Sequence, residues 1–181
     1  MYGMINEAMR RLVTETAGES SWSSIAARAD APESFAALSY YDDAQTYALV
    51  AAASAELETP PEDLLRAFGR YWSTRVGPEN YGDILGATGT DVVSVLSNLD
   101  EMHARLQLLY PELRPPSFSV IDDGGSSITV HYSSERDGLA PFVVGLLEGL
   151  GDLYGTPATV AHVSSPSGTA PYDSFHVTLT R

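Results

Sequence analysis

Residues 91–110, which read DVVSVLSNLDEMHARLQLLY, form the clearest helical pattern in the chain. Their apolar residues recur at three- and four-residue spacing, which is typical of one face of an amphipathic α-helix. Asp91 or the Thr before it can cap the start, and Pro111 ends the pattern. His103 lies on the apolar stripe, so the pattern predicts that this imidazole faces inward.

The chain before this helix is also predicted to be mostly helical. Apolar residues at helical spacing or Ala-rich composition, with Gly or Pro at the boundaries, support each segment. The predicted segments are the stripe from Met4 to Leu12, residues 21–29, a short segment opened by Pro32 through Leu38, residues 47–57, and a helix from residue 61 that ends before Gly77-Pro78.

After the helix the hydrophobic period changes from helical to two, starting at Phe118. Two alternating runs flank the turn 122–125, which predicts a β-hairpin. A helix over 139–154 follows, and strands are predicted over 158–164 and 173–180. Helices followed by hairpin, helix and hairpin indicate an α+β fold with a four-stranded antiparallel sheet.

Composition limits the chemistry that the chain can support. The 10 basic and 24 acidic residues give a formal net charge of −14, which disfavours nucleic acid and anionic membrane surfaces as partners. The chain contains no Cys, which excludes disulfides, iron–sulfur clusters and thiolate-ligated haem. A metal or cofactor would therefore need His, carboxylate, Tyr or packing, and the four histidines are His103, His131, His162 and His176.

No stretch approaches the roughly 20 apolar residues that a membrane-spanning helix requires. The first twelve residues show only an amphipathic pattern, without the apolar core of a signal peptide. We therefore expect a soluble, cytoplasmic chain.

A short polar motif follows the hairpin. Tyr132, Ser134 and Arg136 stand at two-residue spacing, so they would share one face if the strand continued through them. A phenol, a hydroxyl and a planar guanidinium in a row could clamp a carboxylate, because Arg donates two parallel charge-assisted hydrogen bonds to such a group. The alternative is a polar strand end with a solvated Arg.

The inward His103 and this clamp together fit the two needs of a haem. The iron takes a neutral imidazole on an apolar surface, and the propionates take hydrogen-bond donors at the rim. Each feature alone is more often structural. Their combination predicts a haem site.

The ordered set of motifs resembles the H-NOX (haem nitric oxide/oxygen binding) family, which is related to the sensor domain of soluble guanylate cyclase. Tyr132-x-Ser134-x-Arg136 matches the family's propionate-binding motif. The likeness runs from residue 1 to the last strand and is closest to bacterial stand-alone members of the cyanobacterial type. It also includes MYGMIN (1–6), AFGRYW (67–72), LDEMHARL (99–106), YPELRPPSF (110–118) and GLAPFVVGLL (138–147).

The resemblance implies a single H-NOX domain over 1–181. A distal helical subdomain over about 1–64 and a proximal subdomain over about 65–181 would enclose a b-type haem. It also implies roles for nine residues, with ordinary core packing as the alternative for the apolar ones. His103 would be the axial ligand to iron; Tyr132, Ser134 and Arg136 would hold the propionates; Ile5 and Pro116 would distort the porphyrin; and Trp72, Phe142 and Leu146 would line the distal pocket.

Ligand choice and signalling follow from the same resemblance. Oxygen-binding members have a Tyr where this chain has Phe142, and a Phe cannot donate a hydrogen bond to bound dioxygen. The resemblance therefore implies a sensor that binds NO and CO and excludes dioxygen. It would signal through release of the bond between His103 and iron. The expected effector is a separate histidine kinase or cyclic-di-nucleotide enzyme.

Three other functions stay open at this stage. Trp72 carries an indole N–H that could support dioxygen binding, and a haem-free scaffold is a second alternative. An enzyme is the third, with the carboxylate pairs Asp42/Asp43 and Asp122/Asp123 as imaginable acid–base groups. No nucleophile elbow, phosphate loop or His-x-x-x-His zinc pair is present, so we expect no catalytic activity in the chain itself.

Overall fold

The computed structural model describes residues 1–123, 125–163 and 172–180. The chain divides into two compact units, Met1–Phe68 and Gly69–Arg181. The division predicted from the sequence lay at residues 64 and 65, and the assignment of both parts to one H-NOX domain stays a prediction.

The first unit is built on three helices, α1 (Gly3–Ala17), α2 (Glu19–Arg28) and α3 (Asp43–Glu56). Their apolar faces pack on one another. Asp42 caps α3 by accepting a hydrogen bond from the backbone N–H of Ala44. The largest fully buried side chains of this core are Met9, Val13, Trp22, Ile25 and Leu49.

The segment between α2 and α3 differs from the prediction. Residues 32–38 form an irregular loop and not a short helix. The physical reason is that carbonyl groups of this loop accept hydrogen bonds from another helix. The carbonyls of Ser39 and Ala37 accept from the N–H groups of Gly3 and Met4 in the first turn of α1, whose N–H groups have no partner within that helix.

The helix that starts at residue 61 also differs from the prediction, because it does not end before Gly77. Helix α4 (Pro61–Tyr71) continues through a π-helical turn, Trp72–Val76, into α5 (Gly77–Thr88). Pro78 lies in the first turn of α5, directly after the π-helical turn. The path bends within α5, at a residue with φ −134°.

The second unit contains the sheet and two long helices. Strands β1 (Ser117–Asp122), β2 (Ser127–Ser133), β3 (Ala158–Val163) and β4 (Asp173–Leu179) lie in the order β1-β2-β4-β3, antiparallel throughout. Helix α6 (Val92–Leu109) packs against β1, and α7 (Ala140–Leu153) packs against β3 and β4. These elements confirm the predicted α+β fold with a four-stranded antiparallel sheet.

One face of the sheet supplies the core of this unit. Alternate residues of the central strands point to the helices, and each fully buried side chain of this size contributes about 2–3 kcal/mol. The core residues from the strands are Phe118, Ile128, Val130, Tyr132, Phe175 and Val177, and those from the helices include Val95, Leu96, Val143 and Leu147. No helix in the described residues has the length and apolar character needed to cross a membrane.

Candidate functional site

Helix α6 carries the candidate ligand His103. Asp91 and Ser94 form a capping box at its start, with the Asp91 carboxylate accepting from the Ser94 N–H at 2.9 Å. The buried face of α6 runs through Val92, Val95, Leu96 and Leu99. His103 is the next position on this stripe and is partly buried.

The imidazole of His103 is held by the backbone. Its Nδ1 lies 3.1 Å from the carbonyl oxygen of Pro116. A carbonyl oxygen can only accept, so Nδ1 carries the proton and Nε2 of the neutral ring keeps its lone pair. No described group forms a hydrogen bond with Nε2. A metal-ligating His is typically held in this way, because the second hydrogen bond sets both tautomer and ring orientation.

Asp100 connects the same helix to the start of β1. Its carboxylate accepts from the Ser117 hydroxyl at 2.6 Å and from the Phe118 N–H at 2.7 Å. Together with the bond between His103 and Pro116, these contacts attach one face of α6 to residues 116–118. A displacement of His103 would therefore be transmitted to the strand.

The environment of His103 predicts a pH dependence of stability. Burial lowers the pKa of His103 from its ordinary value, while the Pro116 carbonyl and the Asp100 carboxylate act in the opposite direction. A lowered pKa means that the unfolded chain binds the proton at higher pH than the folded chain. This contribution to the free energy of unfolding is therefore complete above the pKa that His103 has in the unfolded chain, about 6.5. It is lost as the pH falls below that pKa.

We expect the free energy of unfolding of the cofactor-free chain, measured with urea, to be lower at about pH 5.5 than at about pH 7.5. His103→Gln should reduce this difference, because Gln does not titrate. Ser97→Gln, which places the same side chain at an exposed position of α6 without removing an imidazole, is the control. An undiminished pH dependence in His103→Gln would contradict the assignment.

The predicted clamp does not lie on a continuous strand, which corrects the expectation for Tyr132, Ser134 and Arg136. Strand β2 ends at Ser133. The Ser134 hydroxyl accepts from the Arg136 N–H at 3.1 Å, and such a side-chain turn competes with the sheet ladder. The neighbouring strand β1 also begins only at Ser117, after two prolines.

The three side chains nevertheless stay within one short segment. Tyr132 is buried and packs between Phe118 and Phe175. Arg136 is partly exposed and donates from Nη1 to the carbonyl of Arg114 at 2.7 Å. The segment that holds the Arg136 guanidinium therefore lies two residues before Pro116, the residue that holds His103.

The predicted pocket residues lie on different elements. Ile5 is a partly buried residue of α1 in the first unit, whereas the others belong to the second unit. Trp72 begins the π-helical turn and stacks on Tyr81 with ring centroids 6.4 Å apart. Phe142 and Leu146 are successive partly buried positions on one face of α7.

Close packing brings the elements that carry Trp72 and Phe142 together. A Cβ at Gly69 would lie 2.0 Å from the Phe142 carbonyl oxygen, so only Gly fits where α4 crosses α7. Ser73 donates to the Leu146 carbonyl at 2.9 Å one turn further along. Trp72 therefore starts its turn beside the segment of α7 that bears Phe142 and Leu146.

Sequence reasoning missed Asp100, the hydrogen-bonding role of the Pro116 carbonyl and that of the Arg114 carbonyl. Asp100 could have been found, because a carboxylate three residues before His103 lies on the same helix face. The hydrogen bonds of the two backbone carbonyls could not have been found, because every residue type carries the same carbonyl group. Among the described residues, no group of three or more His, Cys, Asp or Glu could hold a metal ion.

The comparisons with known proteins agree with this architecture. A family model described as Haem-NO-binding matches residues 2–162. The soluble guanylate cyclase gcy-35 of Caenorhabditis elegans is 28% identical over 151 residues, covering 81% of this chain and 22% of the relative. Guanylate cyclase soluble subunit beta-2 of Rattus norvegicus is 33% identical over 87 residues, covering 48% of this chain and 13% of the relative. The chain spans about a fifth of the length of such cyclases or less.

Solved structures share the fold at lower identity. An H-NOX protein from S. oneidensis in the Fe(II)NO ligation state superposes with a TM-score of 0.86 at 21% identity and covers 100% of both chains. Unliganded Fe(II) H-NOX from K. algicida gives a TM-score of 0.83 at 21% identity, covering 100% of this chain and 97% of that one. With the family model matching most of the sequence, the chain belongs to the haem-NO-binding family, the H-NOX family of haem-binding gas-sensor domains.

Proposed function

We propose that this chain binds a b-type haem through His103 and senses NO and CO while excluding dioxygen. The observation that carries the proposal is the hydrogen bond from His103 Nδ1 to the Pro116 carbonyl, which leaves Nε2 as a lone pair without a described partner. A haem iron requires such a neutral imidazole. When bound, the haem supplies an iron with a further coordination position for a diatomic gas.

The residues that would hold the haem fit its chemistry. Tyr132, Ser134 and Arg136 offer donors for two propionates, and Arg136 adds the positive charge. The Arg136 guanidinium carries five N–H donors, and one of its nitrogens reaches the Arg114 carbonyl. Ile5 and Pro116 are the residues that we propose press on the porphyrin.

Gas selectivity is proposed to come from the distal side chains. Phe142 and Leu146 offer no hydrogen bond to a bound gas. Because bound dioxygen depends on a donor more than NO does, an apolar pair favours NO and CO. Trp72 supports the second candidate, an oxygen-binding member, since its indole N–H has no hydrogen-bond partner among the described residues.

The signal is proposed to leave through α6. When His103 is released from the iron, the contacts of Asp100 and Pro116 would carry its movement to the start of β1. A ligand that favours one of two such arrangements acts as a switch. We propose a separate cytoplasmic histidine kinase or cyclic-di-nucleotide enzyme as the receiver.

Absorption spectra of the ferrous protein test this function. We expect a Soret band that shifts with NO and with CO and does not change on exposure to air, apart from slow oxidation. Phe142→Tyr should create a stable spectrum with dioxygen, because the phenol supplies the missing donor. Phe142→Leu is the matched control and should behave like the wild type.

The possible outcomes separate the candidates. A stable oxygen complex of the wild type, lost in Trp72→Phe, would replace the proposal with the oxygen-binding alternative. A protein that stays colourless when supplied with hemin would contradict haem binding altogether and favour a haem-free scaffold.

A further inference from the structure

The two edges of the sheet differ in how they are protected. Strand β1 forms one edge, and its outward Phe118 N–H is already bound by the Asp100 carboxylate at 2.7 Å. Helix α6 packs against this strand, and two prolines precede it. These are the devices by which natural proteins prevent an edge strand from pairing with another chain.

The other edge, β3, is also packed by a helix, α7, and preceded by a Pro, but no described side chain binds an outward N–H of this strand. Residues 158–163 read ATVAHV, with no Lys, Arg, Asp, Glu, Pro or Gly and three β-branched residues. The strand pairs with β4 alone among the described strands, and its last three residues are exposed. An uncharged, β-favouring and exposed edge of this kind is a template for strand pairing.

The register identifies the backbone groups that face outward. Thr180 donates its N–H to the Pro157 carbonyl, so Pro157 faces β4 in the antiparallel ladder. Orientation alternates along a strand, and therefore Ala158, Val160 and His162 direct their N–H and C=O groups away from β4. Three donors and three acceptors thus lie along the edge of β3 that no described strand occupies.

A second copy of the chain can form hydrogen bonds with all of these outward N–H and C=O groups of β3. In a two-fold pair of antiparallel β3 strands, directly opposite residues must lie on the same face of the sheet. Only registers in which a residue faces its own equivalent across the axis meet this condition. With Val160 on the axis, Val160 pairs with its equivalent and Ala158 pairs with His162 in both directions, which forms hydrogen bonds at every outward group.

The distribution of charge also favours a second copy of the chain as the partner of the β3 edge. A chain with a net charge of −14 repels its own copy over most of its surface. No carboxylate side chain belongs to β3, and the neighbouring carboxylate of Asp173 lies 2.9 Å from Nε2 of His162. The β3 edge is therefore a place where two such acidic chains can approach each other. We propose that β3 pairs antiparallel with β3 of a second copy, with Val160 on the two-fold axis, to form a continuous eight-stranded sheet.

Sedimentation velocity of the haem-loaded full chain tests the pairing. We expect a weak dimer with a Kd of roughly 10–500 µM, since pairing two short strands buries less than a standard interface. Ala161→Glu adds a carboxylate beside the axis and should give a monomer. Thr178→Glu adds the same charge to the same face of the sheet but on β4, and should leave the dimer intact.

A cross-linking experiment tests the register. The chain has no Cys, so Val160→Cys introduces one thiol per copy, within disulfide reach of its equivalent across the axis at a Cα separation of about 5.5 Å. Mild oxidation should link this variant faster than Thr178→Cys. A monomer at about 1 mM, a dimer that survives Ala161→Glu, or equal cross-linking of both Cys variants would overturn the proposal.

Discussion

Replacing His103 by Gly should abolish haem loading of the purified protein, and added imidazole should restore it. The side chain is the one imidazole on the buried stripe of α6, and its Nδ1 is already bound to the Pro116 carbonyl. Outer-shell partners of metal ligands are typically worth about 10–100-fold in metal affinity. Loss of the ligand itself should therefore weaken haem binding by more than about 100-fold.

The Soret absorbance per protein, with and without imidazole, measures this effect. His176→Gly is the matched control, because it removes an exposed imidazole from β4 and should keep normal haem content. Circular dichroism of both variants distinguishes loss of the ligand from loss of the fold. Normal haem loading of a folded His103→Gly protein without imidazole would remove His103 from its proposed role.

Arg136→Ala is expected to have the second largest effect, a reduction of haem affinity by about tenfold or more. The guanidinium is partly exposed, so water offsets some of the loss of charge that a buried pair would feel. It also anchors the Arg114 carbonyl, two residues before Pro116. Its removal should therefore weaken both the propionate contacts and the segment that orients His103.

Titration of the cofactor-free protein with hemin measures the affinity. Arg105→Ala is the matched control, since Arg105 is an exposed residue of α6 that pairs with Glu101 on the same helix. Arg136→Lys should fall between wild type and Arg136→Ala, because Lys keeps the charge and loses the planar fork. An affinity that is equal in Arg136→Ala and Arg105→Ala would exclude the propionate role.

The sequence was sufficient for most of the elements of the second unit. Helix α6, the β1–β2 hairpin, α7 and the two last strands follow from hydrophobic periods of 3.6 and two. The capping residue and Pro111 mark the ends of α6. These features depend on near neighbours in the chain, and local patterns therefore predict them.

The irregular segments of the fold were predicted wrongly. Carbonyl groups of the loop 31–40 accept hydrogen bonds from N–H groups in the first turn of α1, and the helix from residue 61 passes Gly77 through a π-helical turn. Strand β2 stops at Ser133 because the next serine forms a local turn. In the first and third of these cases, a hydrogen bond competes with the structure that the local pattern favours.

The sequence by itself determined that an imidazole lies on the inner stripe of α6, because the helical period places it there. It also showed Tyr132, Ser134 and Arg136 at two-residue spacing at the end of the hairpin, but Ser134 and Arg136 lie beyond the end of β2, so no strand period places them. Only the tertiary structure decided the tautomer of His103, the attachment of Asp100 to β1 and the contact of Arg136 with Arg114. Those three contacts join residues that are 13 to 22 positions apart in the chain and use backbone groups, which are the same for every residue type. No pattern of side chains can encode them.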